Sequence, residues 1–434
     1  MNYRKSFFYS LILFLCVWIE NSLKAQDSYH ESRDIPFYMG EFFMGKTFSA
    51  NKDFPDLKTQ KGGLIGIGKK HSGYGAEWTR QLNKPTTGML FAYTDFGNSE
   101  NIGQALSLLS FIEFRLFPKQ SEKWKFHAAL GGSYMNRQYD EVSNPNNKAI
   151  STKINWSFRS FLYYSLVDKK SLKLRLGLGY IHHSNGHTRL PNQGLNSVVG
   201  SASVELDKPS LGNDEMFIDT LITKARTSQY YWDARFGIGQ NVLSTIFNDK
   251  KEVWTIGLRA GKIINKTFKY GIGIYYRVYE HYHNYIVNDE QLVRDLYPYF
   301  REHPVLYASN FGVSGSAELL LGHVGADIHM GINLYKPFYK VDWQLNDGYT
   351  IEREDGDDVI VLGELDSYYR LKRTISTRLG LKWYFISTVK NPKNNLYLGV
   401  HINANLGQAD FTELSLGFVH RFKEMPRIMK SKKK

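Results

Sequence analysis

Apolar and polar side chains alternate with a period of two along most of this chain. The stretch from 268 to 278 has an apolar face made of Phe268, Tyr270, Ile272, Ile274, Tyr276 and Val278. Such alternation is typical of β-strands that have one apolar and one polar face. Many of the segments exceed the usual strand length of about 5–6 residues and reach the about 9–11 residues that a membrane-spanning strand requires. The pattern therefore predicts an all-β fold, an antiparallel transmembrane β-barrel whose apolar face contacts lipid.

Sixteen segments of this kind can be delimited. They are 36–48, 62–82, 87–97, 105–117, 123–139, 150–167, 171–186, 196–206, 228–243, 251–264, 267–282, 306–322, 324–336, 368–387, 395–406 and 410–422.

The number of segments predicts a barrel of about 14–16 strands within residues 26–422. Neighbouring segments can merge, and single-chain bacterial barrels close with an even number of strands. Short and long connections mostly alternate, as periplasmic turns and extracellular loops do. The connection 207–227 departs from this order, because it is long where a short turn is expected.

The two ends of the chain differ from the barrel segments. Residues 1–25 read as a signal peptide, with Arg4 and Lys5 before an apolar run and Ala25 at the expected cleavage site. Cys16, the one cysteine, lies inside this segment, which excludes a disulfide framework. Residues 423–434 form a basic tail, and in an exported protein such a tail is either solvated or in contact with anionic lipid rather than nucleic acid. We expect the protein in the outer membrane of a Gram-negative cell.

Two connections are long enough to carry structure of their own. Residues 283–305 have apolar residues at spacings that allow a short helix. Residues 337–367 include an acidic run from Glu352 to Asp358. That run is either a solvated loop or a site for divalent cations shared with lipopolysaccharide phosphates, since carboxylates suit hard cations.

Parity places three polar residues together on the outside of the barrel. Leu176, Leu178 and Tyr180 make the lipid-facing side of the strand 171–186, and His182 and Ser184 continue the same face. Asn196 begins the outward face of the next strand, which runs antiparallel to the first.

Those three residue types permit nucleophilic acyl transfer. A serine hydroxyl becomes a good nucleophile when a neighbouring base takes its proton, and histidine titrates near neutral pH. The carbonyl oxygen of an asparagine can hold the imidazole in the required tautomer, although it stabilises the imidazolium less well than a carboxylate does. An alternative interpretation of His182 and Ser184 is a polar girdle at the membrane interface.

The sequence HHSNG followed by PNQGLN resembles the active-site signature of the lipid A 3-O-deacylase (PagL) family of outer-membrane barrels. The resemblance covers about residues 60–210. It implies that Ser184 is the nucleophile and His182 the base, with Asn185 and Asn192 among the residues around them. The family's orienting glutamate corresponds to Asn196 here. Glu205 cannot replace it, because it lies on the opposite face and about 30 Å down the strand.

We therefore predict an outer-membrane serine esterase that hydrolyses an ester-linked acyl chain of lipid A. Ser184, His182 and Asn196 are the predicted catalytic residues, and Asn185, Gly186 and Asn192 are predicted to bind the oxyanion or the substrate. The partners are lipid A and membrane lipids, and the mechanism requires neither a metal nor another cofactor. The His-x-His spacing of His281 and His283 has no identifiable third ligand for zinc.

Two other functions are compatible with the sequence. The first is an anion-favouring porin with basic residues in its lumen, namely Lys153, Arg159, Arg175, Lys269, Arg277, Lys372, Arg378 and Lys382. The second is a structural barrel with a decayed site, which the replacement of the family's glutamate makes conceivable.

Overall fold

The structure is a computed structural model, and it describes residues 34–72, 75–117, 121–169, 171–208, 226–351 and 359–426. The predicted signal peptide 1–25 lies outside the described residues. The same is true of residues 427–434 of the predicted basic tail, and of the acidic run 352–358.

The first eight strands form a closed antiparallel barrel, the first barrel. Its strands are β1 (Ile35–Thr47), β2 (Gln60–Lys70), β3 (Thr86–Asp95), β4 (Gln104–Phe117), β5 (Ser121–Met135), β6 (Ile154–Asp168), β7 (Leu172–Ser184) and β8 (Leu195–Asp207). The barrel closes where β8 pairs with β1, with Tyr38 opposite Leu206. A short helix, α1 (Glu77–Gln81), lies between β2 and β3.

The remaining long strands form another closed barrel, the second barrel, because β9 pairs with both β10 and β18. Its strands are β9 (Thr227–Asn241), β10 (Lys251–Ile264), β11 (Phe268–Tyr279), β12 (Ser309–Leu321), β13 (Val324–Tyr335), β16 (Ile375–Tyr384), β17 (Asn394–Asn405) and β18 (Gln408–Arg421). Three short strands complete the set, a hairpin of β14 (Tyr349–Ile351) and β15 (Val359–Val361), and β19 (Met425–Pro426), which pairs with the start of β9.

The structure confirms the predicted antiparallel barrel architecture and shows sixteen long strands among the described residues. However, these strands form two eight-stranded barrels rather than one wide barrel. Alternation determines which face of a strand is apolar, but closure depends on which distant strands exchange hydrogen bonds. The connection 207–227, which interrupts the expected order of short and long connections, is the segment that joins the two barrels.

The two faces of the strands have the polarity that parity predicts. Leu176 and Leu178 of β7 are exposed on the outside, whereas Arg175 is buried inside the first barrel. There Arg175 pairs with Glu113 at 2.9 Å, and Arg159 pairs with Glu41.

Side chains fill the lumen of the second barrel. Arg378 pairs with Glu413 at 3.0 Å and with Asp327 at 3.2 Å, and Lys382 lies 2.8 Å from the same Asp327 carboxylate. An eight-stranded barrel is just wide enough for side chains to fill its interior. Of the basic residues predicted in a lumen, six are buried inside the two barrels, but the exposed Lys153 and the half-buried Lys372 lie outside the strands.

Helical loops cover one end of the second barrel. They are α2 (Glu280–Val287), α3 (Gln291–Leu296), a 3-10 turn (Pro298–Glu302), α4 (Pro304–Tyr307), α5 (Tyr339–Asn346) and α6 (Ser367–Thr374). Another 3-10 turn (Thr388–Lys390) lies at the opposite end of the barrel. Phe300 and Phe338 from these loops pack with Tyr279 and Phe411 of the strands. The short helix expected within 283–305 is therefore present. None of the described helices is long and apolar enough to span a membrane.

Candidate active site

The candidate site forms where β7 ends and β8 begins. His182 of β7 is directly opposite Asn196 of β8, and Ser184 is opposite Trp156 of β6. The connection between β7 and β8, residues 185–194, is termed the nucleophile loop. It contains three residues with positive φ, which are Gly186, His187 and Gly194. These left-handed residues reverse the chain tightly, so that β8 returns beside β7 with the two side chains in contact.

His182 lies between Ser184 and Asn196 in a continuous hydrogen-bonded chain. Its Nε2 is 3.1 Å from Ser184 Oγ, and its Nδ1 is 2.7 Å from Asn196 Oδ1. Because Asn196 Oδ1 can only accept, Nδ1 carries the proton and Nε2 is free to accept from the Ser184 hydroxyl. Tyr180 OH donates to the same Asn196 oxygen at 2.5 Å and so fixes the amide further. The roles of the three residues as nucleophile, base and orienting group stay a prediction.

The site lies on the outer surface of the first barrel but is only partly open. Tyr180 is 38% exposed on the outside, His182 is half-buried, and Ser184 is 8% exposed. Gly194 packs directly against the imidazole, since a Cβ at this position would lie 2.9 Å from His182 Cε1. With its φ of +74°, this position requires glycine.

The three residues predicted to bind the oxyanion or the substrate have different surroundings. Asn185 is buried, and its Nδ2 donates to Arg189 O at 2.7 Å and to Ser151 Oγ at 3.0 Å. Its backbone N–H donates to Asn192 Oδ1 at 3.0 Å, so this N–H is already engaged. Asn185 therefore organises the loop, and the Asn192 amide is oriented with its oxygen towards Asn185.

Two other polar residues of β7 and β8 lie inside the barrel, as parity predicts. His183 is buried, and its Nδ1 lies 3.1 Å from Ser133 Oγ. Glu205 is also buried and pairs with Lys70 and Arg175, which excludes it as a replacement for the family's glutamate.

Sequence reasoning missed two residues that border the site. Trp156 is opposite Ser184, and its Nε1 donates to Thr412 Oγ1 of the second barrel at 3.1 Å. Alternation places Trp156 on the apolar face of β6, but only the register shows which residue it faces. The sequence carries no signal for Thr412, because more than 200 positions separate it from the nucleophile loop.

These residues lie in the part of the chain that matches a known protein family. Residues 65–205 match the lipid A 3-O-deacylase (PagL) family. The match runs from β2 into β8 and includes His182, Ser184 and Asn196, so the predicted resemblance is confirmed. It ends before the second barrel. No curated protein matches the chain.

Among solved structures, the chain is similar to outer-membrane channels at low identity. An outer membrane channel from Pseudomonas putida F1 is 10% identical, with 92% of this chain and 98% of that chain covered and a TM-score of 0.18. OccAB4 from Acinetobacter baumannii is also 10% identical, with coverages of 91% and 99% and a TM-score of 0.19. A mutant porin of Rh. blastica is 10% identical, with coverages of 89% and 99% and a TM-score of 0.17. At these TM-scores the likenesses carry no functional argument.

Proposed function

We propose that the protein removes an ester-linked acyl chain from lipid A, with Ser184 as the nucleophile. The observation that carries this proposal is the Ser184–His182–Asn196 hydrogen-bonded chain on the outer face of the first barrel. This face is where a barrel meets lipid. The match of residues 65–205 to lipid A 3-O-deacylases supports lipid A as the substrate.

The reaction proceeds in two steps through an acyl-enzyme. Ser184 Oγ attacks the ester carbonyl carbon while His182 Nε2 takes the hydroxyl proton. The tetrahedral intermediate collapses, the C–O bond to the sugar breaks, and His182 returns the proton to the leaving alkoxide. Water, deprotonated by His182, then attacks the acyl-serine, and this step releases a fatty acid and restores Ser184.

Donors for the developing oxyanion are available in the nucleophile loop. Asn192 Oδ1 accepts from the Asn185 N–H, which leaves the Nδ2 group of Asn192 to donate elsewhere. We assign Asn192 Nδ2 and the Gly186 N–H to this role. Donors that are already oriented cost no reorganisation during the reaction, and removal of one such donor typically lowers kcat about 10²–10³-fold.

Asn196 takes the place of a carboxylate in this arrangement. Its oxygen holds the Nδ1 proton of His182 and so keeps Nε2 directed at Ser184. An uncharged amide provides this orientation but stabilises the imidazolium less than a carboxylate would. The site therefore has all three groups in hydrogen-bonding positions, but it stabilises the imidazolium less than a site with a carboxylate would.

An apolar surface continues from the site along the outside of the barrel. On β8, the small residue Gly200 lies between Leu178 of β7 and Met44 of β1, and the side chains of both neighbours are exposed. Val198, between Gly200 and Asn196, is 41% exposed. An acyl chain on this surface would reach Ser184 without leaving the apolar region.

Mass spectrometry of lipid A from cells with and without the protein tests the proposal. We expect loss of one acyl chain with the unmutated protein and an intact lipid A with Ser184→Ala, which removes the nucleophile. Ser201→Ala is the matched control, because Ser201 lies inside the barrel on the neighbouring strand β8 and should leave deacylation unchanged. Full deacylation by Ser184→Ala would exclude Ser184 as the nucleophile.

A further inference from the structure

A side chain of the second barrel forms hydrogen bonds with the backbone of the nucleophile loop. Asn248, in the connection between β9 and β10, donates from Nδ2 to Leu190 O at 2.7 Å. Its Oδ1 in turn accepts from the Leu190 N–H at 2.8 Å. One side chain thus satisfies both backbone polar groups of a residue six positions after Ser184. Two such bonds with good geometry fix the position of that segment.

A contact with Thr412 lies even closer to the proposed nucleophile. Thr412 Oγ1, on β18, accepts from Trp156 Nε1 at 3.1 Å and donates to Gly186 O at 3.3 Å. Trp156 is the residue opposite Ser184, and Gly186 lies two positions after Ser184 in the chain. The hydroxyl of Thr412 therefore links both sides of the site. The approach is close, because a Cβ on Gly186 would lie 2.3 Å from Thr412 Oγ1.

His187 adds a contact between Gly186 and Leu190. Its imidazole is hydrogen-bonded to the Val242 backbone of the second barrel, where Asp410 and Lys336 also lie near it. Burial lowers the pKa of His187, so the ring is neutral at pH 7. The backbone of His187 has a φ of +68°, which a side chain anchored in the second barrel helps to maintain.

We infer that the second barrel positions the nucleophile loop for catalysis, with Thr412 and Asn248 as positioning residues. This inference rests on the proposed function for its effect on activity. The Gly186 carbonyl that Thr412 holds belongs to the turn that carries the Gly186 N–H, a proposed oxyanion donor. The Leu190 contact anchors the opposite half of the same loop, next to Asn192. Without these contacts the loop would lose its fixed conformation.

The test compares four variants of the full-length protein in kinetics of lipid A deacylation. Thr412→Val keeps the shape of the residue and removes the hydroxyl, and Asn248→Ala removes both bonds to Leu190. We expect each to lower kcat about tenfold, with KM within about twofold, because misplacement of catalytic groups affects the transition state more than substrate binding. Thr412→Ser keeps the hydroxyl and should retain activity.

Gln81→Ala is the matched control for interbarrel contacts in general. Gln81 Oε1 accepts from Asn265 Nδ2 of the second barrel at 3.3 Å, at the opposite end of the strands. We expect this variant to leave kcat unchanged. If Gln81→Ala lowers kcat as much as Thr412→Val does, the contacts act by holding the barrels together, and the positioning role is refuted.

Hydrogen–deuterium exchange of the backbone amides in 185–190 separates this inference from the proposed function. We expect faster exchange there in Thr412→Val and Asn248→Ala, and unchanged exchange in Gln81→Ala. Unchanged exchange in both site variants overturns the inference, whether or not the protein is active. An unmutated protein that leaves lipid A intact would instead refute the proposed function, while exchange would still decide whether the second barrel holds the loop.

Discussion

Asn196 stands where the resembled family signature has a glutamate. The contact between Asn196 and His182 leads to a testable prediction. Asn196 Oδ1 lies 2.7 Å from His182 Nδ1, and in the proposed mechanism it only orients the ring. Asn196→Glu should therefore preserve or raise kcat, because a carboxylate also stabilises the imidazolium. Asn196→Ala should lower kcat, but less than Ser184→Ala, since proton transfer remains possible. Steady-state kinetics on purified variants test this order of kcat values. A folded but inactive Asn196→Glu protein would contradict the prediction.

At the residue scale, the sequence identified the groups that depend on parity and motif. His182, Ser184 and Asn196 share one outward face, and alternation along β7 and β8 is enough to place them there. Thr412 and Asn248 could not be found in this way. Their contacts arise from how two separate barrels pack, which no local pattern encodes.

At the element scale, alternation located the strands well and misplaced some of their ends. The predicted strand 368–387 begins instead with helix α6, and β16 starts at Ile375. The Asp366 side chain accepts from the Tyr369 N–H at 2.7 Å, which is a helix N-cap. A capping residue before Ser367 therefore indicated a helix in the sequence. The apolar residues that follow it also suit a strand, and they led to the strand prediction. Lys372 lies on this helix and not in a lumen.

Helix α5 contains a half-buried carboxylate, and we expect it to make the stability of the loops over the second barrel depend on pH. Burial raises the pKa of Asp342 to about 6, and Tyr282 OH donates to its Oδ2 at 2.6 Å. A raised folded-state pKa means that the folded protein holds this proton more tightly than the unfolded chain. The stabilisation is complete below the unfolded value near 3.8 and is lost as pH rises through 6.

Asp342→Asn should therefore stabilise the folded protein at pH 8, because it removes an ionised carboxylate from a half-buried position and keeps an acceptor for Tyr282. We expect a gain of about 1–3 kcal/mol in the free energy of unfolding. The gain should shrink towards pH 5, where Asp342 is itself protonated. Thermal unfolding at the two pH values measures the difference. An equal effect of the substitution at both would show that the carboxylate does not titrate in this range.

At the scale of the whole molecule, the number of strands was predictable and their division was not. Two eight-stranded barrels and one sixteen-stranded barrel present the same alternation along each strand. What separates them is the pairing of β1 with β8 and of β9 with β18. The strands of each pair are distant in sequence, so local alternation does not show that they pair. The long connection 207–227 was a visible sign of the boundary, and the family resemblance also ends near residue 210.

This division bears on the porin alternative, because lumen width follows from strand number. In the second barrel, Arg259 pairs with Asp233, and Lys269 lies 3.2 Å from Glu318. Basic residues that would select anions in a wide pore are here paired with carboxylates in a packed interior. We expect the purified protein to give no steady, large conductance in planar bilayers at neutral pH. Stepwise anion-selective currents from the unmutated protein would show that the interior opens, and would restore the transport interpretation.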